Sequence, residues 1–195
     1  MTERQTEEKT RGREFYAWIG TLVCVAAAAV LLFTFVVRIV RVDGESMRET
    51  LQDQDILLVL ADPLCGNYRA GDIVVLSKAA FEGGAPIIKR VVATEGQTVD
   101  IDFSAGVVYV DGEALEEDYI REPTWTPEGL EFPVTVPADH VFVLGDNRNH
   151  SSDSRHVDLG PIDERMMMGK AVLLVVPGKT AGLDAREWSR VGLIR

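Results

Sequence analysis

The sequence predicts a mostly β domain behind one N-terminal transmembrane helix. Three observations lead there. Residues 15–37 form an uncharged, largely apolar stretch, and roughly 20 such residues cross a bilayer core as a helix. Beyond it, short apolar runs recur between Gly, Pro and Asp turns, without the long amphipathic stretches that would place helices between strands. The charge is also divided unevenly. The net charge is −11, and the four basic and four acidic residues of 2–14 cancel, so the acidic excess lies after residue 37.

The apolar stretch is too long for a cleaved secretory signal, whose apolar region runs about 7–15 residues. No small-x-small site follows it, since the chain continues Arg38-Ile39-Val40-Arg41. A permanent anchor over 15–37 is therefore expected, with Tyr16 and Trp18 in the interfacial belt and Arg38 and Arg41 ending it. Basic residues lie on both sides. Their balance places 1–14 in the cytoplasm and the following domain, 38–178, outside, in a single-pass protein of the cell membrane in contact with its lipid. The acidic domain excludes nucleic acid as a partner, which would require a basic face.

Within the domain, strands are expected at 55–60, 73–76, 87–92, 99–103, 107–110, 141–144 and 171–176. The alternation Val99-Asp100-Ile101-Asp102-Phe103 marks a half-buried strand, and Asp111-Gly112 a tight turn. Residues 116–140 hold Pro123, Pro127, Pro133 and Pro137. They read as a loop-like cap or insertion. The run Met166-Met167-Met168 reads as strand-end packing. The tail, 179–195, has no recognisable signal. Cys24 and Cys65 fall in the anchor and a loop, so no disulfide is expected.

Three places could carry chemistry. In a strand, Ile87, Lys89 and Val91 share one face and Ile88, Arg90 and Val92 the other. Both faces are otherwise apolar, so Lys89 is expected to be buried. Burial disfavours the ammonium form and yields a usable general base, although a lone strand lysine is more often a snorkelling or ion-paired residue. Ser46 lies in Asp43-Gly44-Glu45-Ser46-Met47, where Gly44 permits unusual backbone geometry. By itself it reads as an ordinary turn serine. Residues 145–155 are the densest polar stretch, and such clusters are often only solvated loops. No metal or other cofactor is required, because His140, His150 and His156 lack ligand spacing.

Taken together and in order, these blocks resemble the type I signal peptidase (leader peptidase) family. Ser46-Met47 beyond a membrane span resembles its nucleophile motif. Gly71-Asp72-Ile73-Val74-Val75 resembles a second block, and Lys89-Arg90-Val91-Val92-Ala93 with Gly96 the block that supplies a lysine. Gly145-Asp146-Asn147-Arg148 followed by Ser151, Asp153, Ser154 and Arg155 resembles the last. Asp111-Gly112, Leu115, Glu117, Tyr119 and Ile120 also fit.

The resemblance implies a signal-peptidase-like β domain and a serine endopeptidase with a Ser-Lys dyad. Such an enzyme removes signal peptides from secreted preproteins after small residues, as in Ala-x-Ala. Ser46 would be the nucleophile, Lys89 its base and Ser151 the group orienting the lysine. Arg90 with Asp146, and Asp153 with Arg155, would be structural ion pairs. The oxyanion hole would draw on Ser46 and Gly44. Val42, Asp43 and Gly44 on one side and Pro86, Ile87 and Ile88 on the other would flank the substrate.

Three positions depart from the family pattern. Glu49 stands where proline is usual, Gln97 where aspartate is usual, and Gly44 where some members place a serine donor. The competing readings are a self-cleaving repressor with a Ser-Lys dyad, a signal peptidase with histidine in place of lysine, and an inactive membrane-anchored binding module. The membrane span, Lys89, and the joint presence of Ser46, Lys89 and Ser151 argue against these in turn.

Overall fold

A computed structural model of the chain describes residues 2–179 and 185–194, apart from the side chains of 2–14 and 82. The side chains expected on the cytoplasmic segment 1–14, and tail residues 180–184 and 195, lie outside this description. The chain divides into two units, Met1–Val37 and Arg38–Arg195.

The first unit is helix α1, Thr2–Phe35. Its part Phe15–Phe35 is 21 residues long with a mean hydropathy of 2.3, long and apolar enough to cross a membrane. Thr21 returns its hydroxyl to the Ala17 carbonyl at 3.0 Å, so a polar group within the apolar span is bonded inside its own helix. The helix stops two residues before the expected limit of 37. The β-branched Val36-Val37-Arg38-Ile39-Val40 favours extended backbone, and strand β1, Val37–Arg41, begins there.

The second unit is built from two antiparallel sheets. The strands are β2 (Ile56–Ala61), β3 (Ile73–Leu76), β4 (Ile87–Thr94), β5 (Thr98–Asp102), β6 (Val107–Val110), β7 (Glu113–Ala114), β8 (Val134–Thr135), β9 (His140–Leu144), β10 (Ile162–Asp163), β11 (Met167–Val176) and β12 (Gly192–Leu193). The larger sheet runs β1-β2-β11-β3-β4-β9-β10, with β12 also paired to β11. The smaller runs β7-β6-β5-β8. Met167 and Met168 extend β11 four residues ahead of its expected start and pack into the domain.

Strand β4 holds the domain together. Ile87 and Val91 enter one apolar cluster, with Val74, Leu76, Val141 and Val143. Ile88 enters a second with Val42, Met47, Leu51 and Val75. Val92 and Ala93 enter a third with the smaller sheet. A bulge between Val91 and Ala93 permits the change of cluster. The first seven residues of β4 are all buried.

Residues 116–133 form no strand apart from an isolated bridge at Gly129. They run along the polar segment 145–156 and bond to it at several points, so they act as a strap rather than an excursion. The frequent prolines deny this stretch a ladder of its own. Its bonds to that segment include the Trp125 and Thr126 N–H groups to Asn149, Arg148 to Glu117 and Thr124, and the Leu130 N–H to the Arg155 carbonyl.

Candidate active site

Ser46 sits in a turn anchored by Met47 and Leu51, which are 2% and 1% exposed in the second apolar cluster. The Leu51 N–H bonds the Met47 carbonyl at 2.8 Å. Lys89 comes from the middle of β4, paired with Val74 of β3, and is 3% exposed. The turn and the strand bring Lys89 Nζ to 2.8 Å from Ser46 Oγ. A hydroxyl and an amine at that separation are within reach of direct proton transfer.

The polar segment after β9 fastens the serine turn from behind. The Asn147 backbone N–H donates to the Ser46 carbonyl and its side-chain amide to the Glu45 carbonyl, both at 3.0 Å. Gly145 makes this approach possible. A Cβ there would lie 2.1 Å from Ser151 Oγ and 2.6 Å from the Ser46 carbonyl oxygen. Only glycine lets Ser151 and the serine turn close on each other.

Two buried ion pairs frame the pair. Arg90 grips Asp146 through Nε at 2.9 Å and Nη2 at 2.8 Å, with neither side chain more than 3% exposed. Thr50, four residues after Ser46, donates its hydroxyl to the same carboxylate. Arg155 grips Asp153 through Nε and Nη2, both at 2.8 Å, and also donates to the carbonyls of Thr126, Arg148 and Ser151. Burial works against the Arg155 guanidinium. The bonds and charge of Asp153, with Glu128, outweigh it and hold the group above its ordinary value. Asp153 in turn accepts from Gly145 N–H and from the Ser151 hydroxyl, at 3.0 and 2.9 Å. Ser151 thus donates inward and presents its lone pairs as acceptors.

Several contributors had no role assigned from sequence. Arg148 is fully buried against Glu117 and Thr124. The Tyr119 ring lies 4.0 Å from the Arg90 guanidinium, in cation–π contact. Burial and the Glu117 charge push the Tyr119 phenol up to about 12, so it stays protonated and donates to Glu117. Glu128 accepts the Asp153 backbone N–H at 3.1 Å. Arg148, Glu117 and Tyr119 were visible as members of quoted blocks. Glu128 and Thr50 lay in stretches with no pattern.

The expected flanking residues fall immediately before the two central ones. Val42 and Ile88 join the same apolar cluster as Met47, while Asp43, Gly44 and Pro86 are exposed. Gly44 N–H is directed to Asp53 Oδ1 at 3.1 Å, which commits that donor elsewhere than to an oxyanion. Glu49 adopts φ 121°. Proline, fixed near −65°, cannot adopt it, so this turn conformation excludes the residue usual in the family at this position.

A family described as signal peptidase, peptidase S26, matches residues 15–176. A probable signal peptidase I-1 of Synechocystis sp. is 36% identical over 183 residues, 89% of this chain and 85% of that one. Signal peptidase I of Bacillus licheniformis is 30% identical over 88% of this chain and 95% of its own. A crystal structure of a signal peptidase I from Enterococcus faecalis V583 is 28% identical, covering 54% of this chain and 97% of that chain with a TM-score of 0.44. The family match spans the apolar helix, the turn that carries Ser46 and the strand that carries Lys89, and the chain belongs to the signal peptidase family, peptidase S26.

Proposed function

We propose that this chain is a membrane-bound serine endopeptidase that removes N-terminal signal peptides from secreted preproteins, with Ser46 as nucleophile and Lys89 as general base. The observation that carries the reading is the 2.8 Å contact between Lys89 Nζ and Ser46 Oγ, made by a lysine only 3% exposed. Burial among apolar strand neighbours disfavours the ammonium. The neutral amine takes the Ser46 proton, and the alkoxide attacks the scissile carbonyl carbon. The C–N bond then breaks, and the lysine returns the proton to the leaving amine. A water deprotonated by the same amine hydrolyses the acyl ester and frees Ser46.

Ser151 serves as the acceptor that orients the Lys89 amine, since its own proton is committed to Asp153. The oxyanion is held by the Ser46 backbone N–H, because Gly44 N–H is bonded to Asp53. The substrate enters as an added strand. Strand β9 takes up pairing with β4 only from Arg90 onward, which leaves the edge of 86–88 on that side without a partner strand among the described residues. Residues 42–44 form the opposite wall. The apolar helix anchors the domain in the cell membrane with residues 1–14 on the cytoplasmic side, so that the site meets preproteins as they emerge.

The test uses full-length enzyme in detergent and a preprotein carrying Ala at the first and third positions before the cut. Phe at either position slows cleavage by at least about a hundredfold if shallow pockets select small side chains. Equal rates for the Ala and Phe substrates refute the pockets, and cleavage persisting in Ser46→Ala refutes the nucleophile.

A further inference from the structure

We infer that Arg190, near the C-terminus, is a positioning residue that holds the Ser46 turn in its reactive geometry; this rests on the assignment of Ser46 as nucleophile. The segment that carries Arg190 returns to the domain as β12 and pairs with β11. Arg190 Nη1 and Nη2 donate to the two oxygens of Asp55 at 3.1 and 2.7 Å, and Nη2 also reaches the Thr50 carbonyl at 3.3 Å. Asp55 is fully buried and also accepts from the backbone N–H groups of Gln52 and Gly178, at 2.8 and 2.6 Å. One carboxylate therefore gathers the end of β11, the C-terminal segment and the far end of the serine turn.

Thr50 is held from two directions. Its hydroxyl is tied to Asp146, within the Arg90 pair, and its carbonyl to Arg190. Between Thr50 and Ser46 lies Glu49, whose φ of 121° is a conformation that a residue with a side chain adopts only when its surroundings enforce it. The turn is closed locally by the Leu51 N–H bond to the Met47 carbonyl and by the buried Met47 and Leu51 side chains, and the two grips on Thr50 add the long-range support beside Glu49. If the Arg190 grip is released, the strained Glu49 loses one of its supports, and a relaxation there shifts Ser46 Oγ relative to a lysine fixed in β4. A displacement of about 1 Å costs up to a hundredfold in rate.

The experiment compares Arg190→Ala and Arg190→Lys with the parent, as full-length protein in detergent. Preprotein cleavage is resolved into kcat and KM, and thermal unfolding is followed in parallel. Arg190→Lys keeps a cation for Asp55 but lacks the planar fork that reaches Asp55 and Thr50 together. The expected result is near-parental unfolding for Arg190→Lys, with kcat reduced on the order of tenfold to a hundredfold and KM within about twofold. Arg190→Ala should lose both kcat and stability, and millimolar guanidinium should restore part of its kcat. Parental kcat in Arg190→Lys, or an Arg190→Ala loss that merely tracks the unfolded fraction without guanidinium rescue, overturns the inference. Ser46→Ala run alongside separates the two claims. If it is inactive while Arg190→Lys is parental, only the role of Arg190 fails; if it is active, the nucleophile assignment fails.

Discussion

Replacing Asp146 by alanine strands a buried cation. The Arg90 and Asp146 side chains are 3% and 0% exposed. The substitution removes the acceptor of two guanidinium bonds, at 2.9 and 2.8 Å, and of the Thr50 hydroxyl. Arg90 keeps its bonds to the Gly71 carbonyl and Thr50 Oγ1 and its contact with the Tyr119 ring, none of which carries a counter-charge. An exposed pair would contribute about 0–1 kcal/mol. Breaking a buried one costs about 3–5 kcal/mol, because the remaining charge is left without its counter-ion. For a domain of this size that lowers Tm by about 6–20 °C. The assay is thermal unfolding of the full chain in detergent, followed by circular dichroism. The double variant Arg90→Met/Asp146→Leu removes both charges and should recover most of the loss. The reasoning fails if Asp146→Ala unfolds within about 2 °C of the parent, or if the double variant is less stable than the single one.

Three further expectations can be checked by substitution. Gly145→Ala drives a Cβ into Ser151 and the Ser46 carbonyl, so it should cost about 1–3 kcal/mol by overpacking and reduce kcat far more than KM; wild-type kinetics would count against the packing described. Glu49→Pro, although it restores the residue usual in the family, cannot meet φ 121° and should destabilise the domain in chemical denaturation, whereas Glu49→Gly should not. The third concerns Glu128, whose carboxyl is raised by burial first and by the Asp153 charge second. A carboxyl raised in the folded state is destabilising once ionised. Glu128→Gln should therefore match the parent below the ordinary value of 4.5 and become progressively more stable than it as pH rises through the elevated value. A stability difference that is constant with pH would contradict this.

The longer strands were legible because burial imprints on them a pattern of apolar runs or strict alternation. Ile73–Leu76 and Val107–Val110 lie where the runs place them. Strand β1 was read only as the end of the anchor, since two arginines in five residues resemble a stop signal more than a strand. The two-residue strands β7, β8, β10 and β12 are too short to carry any period and owe their conformation to the strands beside them. Asp55 was grouped with an apolar run, yet its buried carboxylate meets an arginine 135 residues away. No local pattern encodes such a pair. The same reason explains the candidate site. Ser46 and Lys89 are unremarkable in isolation, and their neighbourhood was readable only through the ordered blocks of a family. The roles of Gly145, Thr50 and the strap emerged only when the backbone brought distant segments together.

Lys89 as the base for Ser46 is open to direct measurement. The most direct measurement is the pH dependence of kcat/KM for preprotein cleavage by full-length parent and by Lys89→Met, which fills similar volume without an amine. The parent should show an ascending limb that reports deprotonation of the base. In Lys89→Met that limb should be absent and the rate at least about a hundredfold lower at every pH. A Lys89→Met enzyme that keeps both the limb and a rate within a few-fold of the parent would contradict it.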